Sequence, residues 1–134
     1  MPPPIYSRSA AGTTSNVTIS GNTISTSGAN GDGIRIRANN GASSSIRLVD
    51  NVIEQAGRHS VFIRTNANAA NTICIAQFTG NTSQMPNVFG GGGNDLNLTI
   101  GGGTVSFVDF VNITTNNIGF DDISGTPTVT PTSC

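Results

Sequence analysis

One asparagine returns in the same apolar setting every 29 or 30 residues, and that recurrence restricts the fold more than any other feature. Val17-Thr18-Ile19-Ser20-Gly21-Asn22-Thr23-Ile24 aligns with Ile46-Arg47-Leu48-Val49-Asp50-Asn51-Val52-Ile53 and with Ala76-Gln77-Phe78-Thr79-Gly80-Asn81-Thr82-Ser83. A second burst follows each turn. Gly33-Ile34-Arg35-Ile36 and Ser60-Val61-Phe62-Ile63 lie 27 residues apart. The third counterpart is Leu96 to Ile100, which alternates better than Asn87-Val88-Phe89 and makes Met85 to Asn94 an inserted loop. A period of this size signals stacked equivalent units.

Within each burst the apolar residues alternate, as in Val17/Ile19, Ile34/Ile36, Ile46/Leu48, Val61/Ile63, Ile73/Ile75 and Leu96/Leu98. Period two is the strand signature, because successive side chains point to opposite faces. Gly, Asn, Ser and Thr supply 64 of the 134 residues, there is no Lys, and Leu occurs only three times. Such a chain cannot build a helix bundle, and its short strands are separated by residues suited to tight turns. An antiparallel sandwich has no need of a periodic Asn. The reading is therefore all-β: a short right-handed parallel β-helix of about three to four coils over residues 15–110. Residues 1–14 form an extended lead-in and residues 111–134 an edge segment or cap. Coils stack at roughly 4.8 Å, so Asn22, Asn51 and Asn81 are expected to hydrogen-bond as a ladder along the axis. The competing explanation is that Asn merely suits turns.

Ile19-Ser20-Gly21-Asn22-Thr23-Ile24 and Gly31-Asp32-Gly33-Ile34 resemble the repeat unit of the right-handed parallel β-helix proteins, the pectate-lyase-like superfamily. The resemblance covers about residues 15–100. With the Ile73-Cys74-Ile75 strand and the terminal Ser133-Cys134, the chain looks like the C-terminal end of a large bacterial extracellular repeat protein. That implies a fold and a secreted or cell-surface setting. It does not imply an activity, since function resides in sites grafted on folds.

Enzymes of that superfamily gather acids, either as a pair or around Ca²⁺, with Arg or Lys as base in the lyases. Here Asp121 and Asp122 are sequence neighbours and read as an exposed turn; Asp50 occupies the Gly21/Gly80 position and reads as a turn residue. The weak catalytic candidates are Asp32 and His59, the lone histidine. A lone histidine does not make a His-based metal site, so no metal and no cofactor are expected. Arg58 and His59 read first as solvated turn residues. Arg35, Arg37, Arg47 and Arg64 fall at outward positions, where a cluster would suit acidic sugars. Gly90 to Gly93 lack the Gly-Lys-Ser/Thr ending of a phosphate loop. A formal net charge of −1 gives no electrostatic footprint for nucleic acid, and no apolar run approaches the roughly 20 residues of a spanning helix.

Cys74 and Cys134 permit one disulfide; two free thiols are the alternative. The functional expectation is a non-catalytic module of a secreted or cell-surface protein, a structural spacer or an adhesive surface touching glycans. The alternative is a fragment of a polysaccharide lyase or glycoside hydrolase. Expected partners are neighbouring coils of a longer chain, further copies of this chain, or a polysaccharide, with no nucleic acid and no membrane insertion.

Overall fold

The computed structural model describes residues 3–26, 28–88, 90, 92–128 and 131–134. The first coil holds β1 (Ile5–Ser9), β2 (Thr14–Ser20) and β3 (Thr23–Ser25). The second repeats them as β4 (Ile34–Ala38), β5 (Ser43–Val49) and β6 (Val52–Gln55), and the third as β7 (Val61–Thr65), β8 (Thr72–Thr79) and β9 (Thr82–Ser83). The fourth contains β10 (Leu96–Ile100) and β11 (Thr104–Phe107), then a 3₁₀ turn at Phe110–Asn112 running into α1 (Ile113–Asn116). β12 (Ile123–Ser124) begins a fifth pass. Pairing between these strands is parallel, giving three sheets ordered β1-β4-β7-β10-β12, β2-β5-β8-β11 and β3-β6-β9. The protein is a parallel β-solenoid of about four turns.

Register explains the uneven repeat. Ile46 pairs with Ile75 but Arg47 pairs with Gln77, so Ala76 is an extra residue in a β-bulge. That one residue turns the 29-residue spacing of Asn22 and Asn51 into the 30 of Asn51 and Asn81. The alignment of Ala76 with Ile46 is thereby corrected by one position. Ile5–Ser9 pairs with β4 along its whole length, so coil stacking already includes residue 5. The 84–94 segment is an insertion between β9 and β10, and Leu96 pairs with Val61.

Inward side chains form apolar columns. Ile34, Ile46, Leu48, Ile53, Ile63, Ile73, Ile75 and Leu96 are fully buried, each burial contributing about 1.5–3 kcal/mol. Toward the fourth coil the core becomes aromatic, with Phe78 set edge-on to Phe120 at 5.0 Å and tilted against Phe107 at 5.4 Å.

Beside this core stands the asparagine ladder. The Nδ2 of Asn22 donates to Oδ1 of Asn51 at 2.9 Å, Asn51 to Asn81 at 3.0 Å, and Asn81 to Asn117 at 3.0 Å. The main-chain N–H of each donor residue points to the same oxygen, at 3.2, 3.2 and 2.9 Å. The second Nδ2 hydrogen of Asn51, Asn81 and Asn117 reaches the carbonyls of Ile19, Leu48 and Phe78 respectively. The turns into the first three rungs use left-handed backbone, with φ of 66° at Gly21, 54° at Asp50 and 69° at Gly80, whereas Asn117 follows directly from α1.

Candidate functional site

The chemistry-bearing side chains converge where the third sheet hands over to the first. Asp32 lies just before β4, and Arg58 and His59 lie just before β7, one coil on. Parallel register then carries Tyr6, Arg35 and Phe62 into one outward column on β1, β4 and β7. Arg8, Arg37 and Arg64 form the next column, two residues further along the same strands.

Asp32 has no exposed surface. Its Oδ2 accepts from Arg35 Nε at 2.6 Å and from Arg58 Nη2 at 3.2 Å, while Oδ1 accepts from Arg58 Nε at 3.1 Å. The main-chain N–H of His59 also donates to Oδ1, at 3.4 Å. The two guanidiniums in turn lie over the Phe62 ring, Arg35 at 5.4 Å and Arg58 at 5.0 Å. Such an arrangement holds both arginines rigidly and supplies a buried carboxylate with the hydrogen bonds it needs.

His59 is buried, not solvated as a turn residue would be. At the end of the inserted segment, the Asn94 N–H donates to His59 Nδ1 at 3.0 Å. The ring stacks on Phe62 at 5.2 Å. Burial lowers the imidazole pKa below its ordinary value, helped by Arg58 and Arg35 and opposed by Asp32 and Asp122. Asp32 and His59 do meet across successive coils, but through the His59 backbone; the imidazole's Nδ1 is turned to Asn94.

The four arginines expected to act together are divided. Arg35 is engaged with Asp32, Arg37 and Arg64 share a column with Arg8, and Arg47 lies on the second sheet between Thr18 and Gln77. Arg8 and Tyr6 escape a reading of the repeat that starts at residue 15, although the spacing of 29 from Ile5 to Ile34 marks them. Asp121 and Asp122 are exposed, and Asp122 Oδ1 accepts from the Asn94 side chain at 3.0 Å. Among the described residues no group of three or more His, Cys, Asp or Glu could hold a metal ion.

On the second sheet, Cys74 and Cys134 form a disulfide with a Cα–Cα distance of 5.9 Å, fastening the tail across the outward side of β8. Among the described residues, no helix is long and apolar enough to cross a membrane.

No known family model, curated protein or solved structure matches this chain.

Proposed function

We propose that this chain is a non-catalytic module of a secreted or cell-surface protein, a rigid spacer whose outer faces serve as an adhesive surface for glycans. The observation that carries this reading is the state of Asp32. A general acid or base must come within about 2.6–3.2 Å of the proton it transfers. Asp32 has zero exposure, and its oxygens are occupied by Arg35, Arg58 and the His59 amide. His59 is itself buried, at 5% exposure, and its Nδ1 accepts from the Asn94 N–H, which leaves Nε2 alone to exchange a proton.

The parallel coils and the repeat unit support kinship with the pectate-lyase-like superfamily and with the ends of large bacterial extracellular repeat proteins. The disulfide supports an oxidising compartment. Edge strands support a partner at the first coil, because β1, β2 and β3 each end their sheet and leave backbone groups for another coil or copy to pair with.

The test is incubation with a panel of acidic and neutral polysaccharides, reading both binding and reducing-end release. Binding without release is expected. Release that disappears in Asp32→Ala or His59→Ala would replace this reading with that of a lyase or hydrolase fragment.

A further inference from the structure

We propose that Arg8, Arg37 and Arg64 form a docking track for a sulfated polysaccharide, with Tyr6 as the platform for one of its sugar rings. The inference rests on the adhesive-surface reading and gives that surface a place and a ligand class.

The three arginines are register partners on successive strands, so they repeat at roughly the 4.8 Å strand spacing. Their flanking residues Ile36 and Ile63 are fully buried, which sends the arginines outward. Among the described residues, no acid lies within ion-pair distance of any of them; Asp32, just before β4, is taken up by Arg35 and Arg58. Arg8 and Arg64 are exposed, and Arg37 between them is half-buried with its Nε buried and without a hydrogen-bond partner. Arg8 Nε has one neutral acceptor: with the Asn39 amide turned toward the Ala38 carbonyl, its oxygen lies 3.1 Å away. The pKa of Arg37 is lowered by burial and then by Arg64, Arg35 and Arg8, with no acid opposing. Three like charges inside one screening length are an uncompensated cost in the free protein, and a bound anion removes it.

The geometry favours a tetrahedral oxyanion. A carboxylate offers two coplanar oxygens, which suit one guanidinium held bidentate. A sulfate ester offers three diverging oxygens and can accept from two neighbouring rungs together. The sugar is argued from Tyr6, which is 59% exposed and stands two residues from Arg8 on the same face. Arg35 lies over the Tyr6 ring at 5.7 Å and holds it in place, leaving apolar ring surface for a sugar.

Binding of dextran sulfate, carboxymethyl dextran, plain dextran and inorganic polyphosphate to the full chain tests the proposal. Dextran sulfate is expected to bind about tenfold tighter than carboxymethyl dextran or polyphosphate, and plain dextran not to bind. Arg8→Gln with Arg64→Gln should weaken dextran sulfate by about a hundredfold, two charged contacts being lost. Thr14→Asp with Thr18→Asp makes the same net-charge change on the second sheet and should stay within about twofold. Tyr6→Ala, an exposed change independent of folding, should weaken dextran sulfate several-fold and leave polyphosphate alone. Equal binding of carboxymethyl dextran overturns the sulfate assignment, and equal binding of polyphosphate overturns the sugar. Unchanged affinity in the double arginine variant overturns the track. Release of oligosaccharides counts against the non-catalytic reading and not against the track.

Discussion

Asn51 uses its whole side chain inside the protein: Oδ1 accepts from the N–H and Nδ2 of Asn22, and Nδ2 donates to Ile19 and Asn81. Asn51→Ala leaves those groups unpaired in a buried place and should cost about 2–4 kcal/mol in urea unfolding. Asn22 is half-exposed at the ladder's end, so Asn22→Ala should cost about 1 kcal/mol by the same measurement. The ladder's first three rungs were legible because identical apolar flanks accompanied each Asn. His59 was not legible, since its surroundings include the Asn94 backbone, 35 residues away, which caps Nδ1. That burial has a pH consequence. With the folded-state pKa lowered, the unfolded chain takes up a proton first as pH falls below about 6.5. Stability should therefore be full above that value and decline through the window down to the lowered pKa. Thermal unfolding from pH 7.5 to 5 should show this loss, and His59→Gln should flatten it.

At the scale of elements, the turns into the first three ladder positions are demanding pieces of backbone, each held by a left-handed residue. Gly21 and Gly80 share a left-handed conformation, but a Cβ at Gly21 would meet nothing within 4 Å, whereas at Gly80 it would sit 2.0 Å from Asp50 Oδ1. Gly21→Ala should cost about 1 kcal/mol for its positive φ. Gly80→Ala should cost about 1–3 kcal/mol more, because Asp50 must also move. Paired denaturation curves check the difference. The tail is a separate element, held by a disulfide closing a 60-residue separation. Reducing it should lower stability by about 4 kcal/mol in the chain-entropy account. The strands themselves were readable from period two. Their register was readable too, except along β8, where the bulge at Ala76 leaves the alternation of Ile73 and Ile75 intact while offsetting the residues before it by one.

Across the whole molecule, each strand pairs only with the strands one coil before and after it, so order propagates along the axis. The sequence carried the architecture of the middle coils, where 27 to 30 residues make one circuit. It did not carry the ends. The fourth rung, Asn117, lies 36 residues after Asn81 because the 3₁₀ turn and α1 lengthen the circuit, and no fixed period reaches it. Tyr6 and Arg8 were hidden behind a proline-rich start, and the division of the arginines between two sheets appears only once strands are assigned to faces. Uniting these observations is the claim that parallel coils are locked by one continuous column of asparagines. Hydrogen exchange of the side-chain amides, followed by NMR, tests it most directly. The Nδ2 protons of Asn51, Asn81 and Asn117 should be strongly protected, and those of Asn22 should exchange faster. Side-chain amides that all exchange at the rate of free asparagine would contradict it.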